Sequence, residues 1–238
     1  MNSKNETAIF LAARSGSKRL PNKHFLKLRL NLKVIDLCIL RLKKSKLVNK
    51  IFLCTTKKKE DDKFIDVCKS HNIKLFRGAN NNVAKRFIDC AKENSIKTII
   101  RITGDCPIID PNLIDNCVKL HLKKKGDYTS NILKLSYPDG QDVEVFNYET
   151  LIKSQNLLKS KSNKEHVTTY IRKSKKFEKH NLKNRINYSN RRWTLDNLED
   201  YLFLKKVVNY FYPQNYFLWT DLIKAEKKNK RLINIHER

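Results

Sequence analysis

The chain has 238 residues, 51 Lys and Arg against 24 Asp and Glu, a formal net charge of +27, and 40% hydrophobic residues. This length and apolar content suit one globular domain with a full core, and with five Gly and five Pro they exclude collagen-like, linker-like and disordered chains. The charge invites a nucleic-acid partner, but the lysines are spread along the whole chain rather than gathered in one stripe, which points instead to general basic bias plus an anionic substrate.

Ala8-Ile9-Phe10-Leu11 reads as a buried strand ending at residue 12 or 13. A small-residue turn follows, carrying the cations Arg14, Lys18, Arg19 and Lys23. Gly16 with Ser15 and Ser17 lets backbone N–H groups point inward, as a loop that grips a triphosphate requires. A solvated basic turn is the alternative. Neither Gly-Lys-Ser/Thr nor Gly-x-Gly-x-x-Gly occurs here, so this is neither a Walker loop nor a dinucleotide fingerprint.

Helical spacing follows over Val34–Lys46, a short strand over Ile51–Thr55, a helix over Glu60–His71 and a strand over Ile73–Phe76. Arg77–Asn80 turns the chain into a helix over Val83–Asn94, and Thr98–Ile102 is a strand. Asp110-Pro111 then supplies an N-cap and a first-position proline for a helix that stops at Lys123–Gly126. Beyond it, Tyr128–Ile132 and Val143–Phe146 read as strands joined through Tyr137–Gly140, and residues 149–160 as a helix. Ser162–Glu165 is a capping box opening a helix to about Ser174. Arg192–Leu195 is strand-like, Asp196 or Asn197 caps a helix through Tyr210, and Trp219–Lys228 is the last helix.

Alternation of strand and helix predicts an α/β fold: a three-layer sandwich around a mainly parallel sheet. The whole chain, 1–238, reads as a single domain with 127–192 as an inserted subdomain. Ligands of such sheets sit at the carboxyl ends of strands. The Arg14–Lys23 loop and Thr103-Gly104-Asp105 both occupy that position, which favours the phosphate reading of the loop. Asp105 there suits magnesium, which takes one or two carboxylates and completes its shell with water and phosphate oxygens; capping the turn before Pro107 is equally open. Asp196 has the same two readings, with helix capping the stronger alternative. Together with the cationic loop they describe a nucleotidyl-transfer site.

The six cysteines form no Cys-x-x-Cys and no zinc spacing, and read as reduced, buried residues. Cys106, beside Asp105, lacks a partner base and reads as packing. No run approaches the roughly 18 apolar residues of a membrane span, and the short N-terminal apolar run is not built as a signal peptide. The expected location is the cytoplasm.

Ala13–Lys23 resembles the N-terminal signature of the cytidylyltransferases that make CMP-activated sugars, the 3-deoxy-manno-octulosonate and acylneuraminate enzymes, and most closely their SpsF-type spore-coat polysaccharide relatives. Arg101–Asp115, Tyr137–Phe146, Glu165–Arg172 and Arg192–Asp200 resemble the SpsF-type pattern in the same order, so the likeness runs to about residue 210. It implies the nucleotidyltransferase, or glycosyltransferase-A type, fold and CMP transfer from CTP to a sugar or sugar acid. By the same likeness Arg14, Ser17 and Lys23 hold the CTP phosphates, with Ala13, Ser15, Gly16, Thr103 and Gly104 around the nucleotide. Arg86 lies near the base or ribose, and Asp105 and Asp196 hold Mg2+. Arg14, Lys23 and Asp105 carry the catalysis. Asp142, Glu144, His166 and Arg192 are the candidate acceptor residues, with Asp142 and Glu144 on one strand face by period two. The family likeness also implies a homodimer built through the second-half segment.

Two departures stand out. Leu28–Lys33 replaces the family's Gly-rich turn, and Lys85 stands where an acidic residue is usual. Two other readings follow. A glycosyltransferase expects Asp-x-Asp, and Gly104-Asp105-Cys106 supplies one Asp. A non-catalytic nucleotide or nucleic-acid binder is the other.

Overall fold

The computed structural model describes residues 6–157 and 167–229. Strand β1 (Thr7–Ala12) leads through a short hairpin, β2 (Lys27–Arg29) and β3 (Leu32–Lys33), into α1 (Val34–Leu42). Then come β4 (Ile51–Thr56), α2 (Lys63–Ser70), β5 (Lys74–Gly78), α3 (Val83–Glu93), β6 (Thr98–Thr103) and α4 (Pro111–Lys124). The second half holds β7 (Tyr128–Ser130), β8 (Glu144–Asn147), α5 (Tyr148–Asn156), α6 (Thr169–Lys173), β9 (Lys179–Asn181), α7 (Leu198–Tyr210) and α8 (Trp219–Lys228).

One seven-stranded sheet runs in the order β5-β4-β1-β6-β8-β7-β9. The first four strands are parallel, β8 is antiparallel to both of its neighbours, and β9 is parallel to β7. β4 is buried along its whole length and reads as a continuous apolar run, as a strand covered on both faces should. On one face Ile9, Leu11, Leu53 and Ile102 pack against Ile35, Phe64 and Ile114 of α1, α2 and α4. On the other, Phe10, Phe52 and Ile99 pack against Phe87 of α3 and Leu151 of α5. The three-layer expectation holds.

From β1 the order grows outward through β4 to β5, and then β6 is laid on the other side of β1. The strand order therefore reverses between β1 and β6, and the crevice at their carboxyl ends is where such a sheet binds ligands. The Gly104 N–H still donates to the Ala12 carbonyl, at 2.9 Å, just where the two loops diverge.

Several expectations need correction. Segment 127–192 does not stand apart from the core, because β7, β8 and β9 extend the central sheet and Tyr128, Val145 and Phe146 are buried in it. Arg192–Leu195 is not a strand. It makes a single bridge to Asp139, and its backbone donors go to Asp139 (from Trp193) and Asp105 (from Leu195) instead of to a ladder. Gly140 allows this close passage: its φ is +96°, and a Cβ there would sit 2.7 Å from the Trp193 carbonyl carbon. β9 carried no sequence signal, since Lys179-His180-Asn181 is a polar edge strand. The helix expected over 60–71 splits into a short 3₁₀ turn, Lys59–Asp61, and α2. The Ser162–Glu165 capping box lies outside the described residues. A third cluster joins Leu28 and Leu32 of the hairpin to Trp193 and to Leu204, Val207 and Leu222 of α7 and α8. The Leu28–Lys33 departure is thus a packed hairpin.

Candidate active site

The loop after β1 is anchored before it is charged. The Ser15 N–H donates to Asp61 Oδ1 at 2.6 Å and its hydroxyl to the Glu60 carbonyl at 2.9 Å. Asp61, fully buried, also accepts from the Thr56 backbone N–H and hydroxyl. Burial alone would raise its pKa, but these hydrogen bonds from Thr56 and Ser15 hold it below the usual carboxylate range. Ser15 is therefore a tether; its donors do not face a ligand. Arg14, Gly16, Lys18 and Arg19 are left exposed, with Ser17 half-buried. Sequence reasoning missed Asp61, because nothing local in Lys59-Glu60-Asp61 marks it as a loop anchor.

Asn22, in the left-handed region at φ 54°, turns the chain into a 3₁₀ turn, Lys23–Phe25, that carries Lys23 inward. Lys23 is 8% exposed. Its ammonium donates to Asp105 Oδ2 at 2.9 Å, to the Leu195 carbonyl at 2.8 Å and to Asp196 Oδ1 at 3.1 Å, which uses all three protons. Burial by itself would lower the Lys23 pKa, yet Asp105 and Asp196 outweigh it and raise it. Both carboxylates are in turn held below their ordinary range by Lys23, against the opposing effect of burial. The structure thus brings Lys23, Asp105 and Asp196 to one point, from the ends of β1 and β6 and the start of α7.

Asn197 settles the capping alternative. Its side chain accepts from the Asp200 N–H, and Asp200 returns the bond, so Asn197 caps α7 and the Asp196 carboxylate is free of that duty. Asp196 instead meets Lys23, Arg19 at 3.0 Å, and Arg192 at 3.0 Å. Arg192 also pairs with Asp139 at 3.1 Å and with Asp200 at 3.2 Å. A cavity of about 300 Å³ opens here, lined by Arg101, Thr103, Asp105, Cys106, Asp139, Asp142, Arg192, Thr194 and Asp196. Its far wall is fixed from behind: Glu226 of α8 accepts from the Trp193 indole at 3.1 Å and from Arg191 at 2.8 Å. Cys106 is buried, and burial pushes its thiol pKa well up, so it packs and does not act as a nucleophile.

Other candidates fall elsewhere. Glu144, 1% exposed, points into the core, where it pairs with Arg101 and accepts from Tyr128 at 2.6 Å and from Thr168. It is a structural ion pair and does not reach an acceptor; Asp142 lines the cavity, and β8 begins only at Glu144, so period two does not link them. Arg86 is also buried, and its guanidinium is taken up by the carbonyls of Ala79, Asn80 and Cys54, closing the turn after β5. It does not present itself to a base or ribose. Lys85 pairs with Asp89 one helical turn on. His166 lies outside the described residues.

His24 was not foreseen. It is 3% exposed, lies against the spot where a Gly104 Cβ would be, 2.9 Å from its ring, and stacks edge-on to Phe64. Neither ring nitrogen has a partner of hydrogen-bond geometry among the described residues, and only the Arg14 main chain and nearby carboxylates favour the charged form. Burial, with Lys23 beside it, pushes the pKa from 6.5 down to about 4. Because the folded value is the lower one, the unfolded chain takes up the proton first. Stability is full above pH 6.5 and declines toward pH 4, by about 3 kcal/mol from this group. Urea midpoints across that window should therefore fall more steeply for wild type than for His24→Leu. Equal slopes would refute the assignment.

The donor set fits magnesium. Among the described residues no group of three or more His, Cys, Asp or Glu gathers at metal-binding spacing. Two carboxylates converging on one cationic point, here marked by the Lys23 ammonium, match an ion that keeps water and phosphate oxygens in its shell. Among the described residues no helix is long and apolar enough to cross a membrane.

Comparison with known proteins bears on this site. The family profile described as cytidylyltransferase matches residues 8–232. The uncharacterised protein MJ1063 of Methanocaldococcus jannaschii is 41% identical over 163 residues, which is 68% of this chain and 65% of that protein's own length. The spore coat polysaccharide biosynthesis protein SpsF of Bacillus subtilis is 32% identical over 173 residues, 71% of this chain and 70% of its own. A solved cytidylyltransferase from Leptospira borgpetersenii superposes with a TM-score of 0.91 at 33% identity, covering 96% of both chains.

Proposed function

The chain belongs to the cytidylyltransferase family, and we propose that it transfers CMP from CTP to a hydroxyl of a sugar-type acceptor, releasing pyrophosphate, for surface polysaccharide or glycoconjugate synthesis. The observation that carries this reading is the convergence of Lys23, Asp105 and Asp196 in the β1–β6 crevice, beside a loop of exposed cations.

In the proposed reaction the acceptor oxygen attacks the α-phosphorus in line. The bond from that phosphorus to the bridging oxygen breaks, its electron pair leaves with pyrophosphate, and the hydroxyl proton passes to a crevice carboxylate or to solvent. The exposed Arg14, with Gly16 allowing close approach, meets the β- and γ-phosphates, and Ser17 adds a donor. Magnesium held by Asp105 and Asp196 would supply charge neutralisation on the phosphates. Lys23, at the point where Asp105 and Asp196 meet, lends its charge to the leaving pyrophosphate. Thr103 and Gly104 line the nucleotide's path across the end of β6. Catalysis is mostly positioning and electrostatics.

The test is pyrophosphate release with CTP and Mg2+ over a panel of eight- and nine-carbon sugar acids and neutral and amino hexoses, with ATP, GTP and UTP as competitors. CTP-dependent release that Asp105→Ala abolishes is the expected result. No release with any acceptor, and Asp105→Ala indistinguishable from wild type, would overturn the reading.

A further inference from the structure

We propose that His24 is a positioning residue for CTP: its imidazole lies between the Gly104 end of β6 and the main chain of Arg14, and a hydrogen bond to that main chain, drawn tight by CTP, sets the distance of the phosphate-binding loop from Asp105. The inference rests on the reading of this crevice as the CTP site.

His24 sits where the parts of the site meet. It is the second residue of the 3₁₀ turn Lys23–Phe25, directly after the lysine that holds Asp105 and Asp196. Along one edge of its ring, Cδ2 and Nε2 each lie 2.9 Å from where a Gly104 Cβ would be, and the Ala13 Cβ lies 3.1 Å from the same point. The ring therefore meets the chain one residue before Asp105, beside the residue that precedes Arg14. The Arg14 main chain is close enough to favour a charged ring, yet neither ring nitrogen reaches hydrogen-bond geometry with it. The ring also meets Phe64 edge-on at 5.9 Å, and Phe64, fully buried in the core, packs against Phe25 at 4.9 Å. Close packing of this kind holds the imidazole against Gly104. The next residue of the loop, Ser15, is tied to Glu60 and Asp61. Arg14 thus lies between a fixed point in the loop and the His24 ring.

A neutral imidazole carries one N–H donor and one acceptor nitrogen. Neither is used among the described residues, although the side chain is buried. Leaving such groups unbonded is costly, and an apolar side chain would fill the same slot without that cost. An unsatisfied buried group of this kind calls for a cause. Hydrogen bonds at reacting sites are often long or misaligned before substrate binds, and they tighten in the complex. Arg14 is the cation that meets the β- and γ-phosphates in the proposed reaction, so the pull of CTP acts on the backbone beside the ring. Lys23, next in the chain, disfavours a second positive charge, so the ring serves as a neutral donor. A misplacement of about 1 Å can cost about 100-fold in rate, and a fixed spacing between the loop and Asp105 prevents it.

The experiment measures dissociation constants of CTP and of CMP, each with Mg2+, by calorimetry for wild type and His24→Leu, together with both thermal midpoints at neutral pH. The imidazole nitrogen resonances of His24 in the wild-type protein are recorded by NMR with and without each nucleotide. CMP lacks the β- and γ-phosphates that the loop holds and is the internal control. The expected result is that His24→Leu weakens CTP by about tenfold, the worth of one hydrogen bond, and CMP by less than about twofold. Its midpoint should be no lower than that of wild type, and the donor nitrogen of His24 should shift with CTP and not with CMP. Equal losses for the two nucleotides, or no loss of either, overturn the inference and leave cytidylyl transfer standing. A midpoint that falls with CTP affinity makes His24 a structural residue and overturns it too. So do nitrogen resonances that CTP does not move, a readout that stands even if His24→Leu fails to fold. Wild-type protein that binds neither nucleotide removes the proposed function and the inference with it.

Discussion

Asp105→Asn should lower CTP-dependent pyrophosphate release by about a thousandfold while the protein stays folded. Removal of one preorganised electrostatic group at a reacting phosphate or carbonyl commonly costs 10²–10³ in rate, and a metal-holding carboxylate belongs at the upper end. The amide keeps the shape and still accepts from Lys23. The backbone of residue 105 stays tied down, because its carbonyl accepts from the Leu195 N–H at 2.8 Å independently of the side chain. Two measurements separate chemistry from folding: single-turnover pyrophosphate release, and the thermal midpoint without metal. A loss below tenfold would remove Asp105 from the catalytic machinery. A midpoint collapse matching the activity loss would assign it a structural role alone.

Lys23→Met should destabilise the metal-free protein by about 3 kcal/mol, because removing one partner of a buried ionic cluster leaves the others uncompensated. Here Asp105, Asp196 and the Leu195 carbonyl would all lose their shared donor. The sign with pH follows from the carboxylates. Both are held below the ordinary 3.8, so the stability that they contribute is present above that value and lost as pH falls through their folded values. The wild-type advantage over Lys23→Met should therefore be full at neutral pH and shrink in acid. Added Mg2+ should restore part of the loss in the variant, since the ion takes over the role of counter-charge, and should raise the midpoint more in Lys23→Met than in wild type. Activity should nevertheless stay low, as the cation for the leaving pyrophosphate is gone. A variant as stable as wild type at pH 7 would contradict the cluster's proposed role.

What the sequence disclosed and what it withheld divide along a physical line. Features set by neighbours along the chain were legible: the Asp110-Pro111 start of α4, where the Asp110 side chain accepts from Asn112, the Asn197 alternative for α7, and the apolar runs Ala8–Leu11 of β1 and Ile51–Cys54 of β4. The switch-point crevice could be inferred from the strand–helix rhythm. Contacts between distant segments could not. Glu144 looked like one of a pair with Asp142 on one strand face, and only the pairing of β8 with β6 shows it opposite Arg101 in the core. Arg86 looked like any cation after a turn until its guanidinium was seen closing that turn. Trp193-Thr194-Leu195 has strand composition, yet the space between Gly140 and Asp105 admits a single crossing segment with no room for a ladder. His24 carries no local mark at all, since its burial comes from the loop folding over Gly104.

The Lys23–Leu195 bond joins residues 172 apart in sequence, and this sets when the pocket can exist during synthesis. The β1–β4–β5–β6 half of the sheet can form on the ribosome from the first 103 residues or so. Until residue 196 emerges, however, Lys23 has only Asp105 of its final partners, and the cavity lacks its Arg192 wall. Catalytic competence therefore cannot precede the emergence of residue 196. A chain cut short after β6 would keep the loop after β1 but lack Asp105, Asp196 and the Arg192 wall, a sheet without an enzyme.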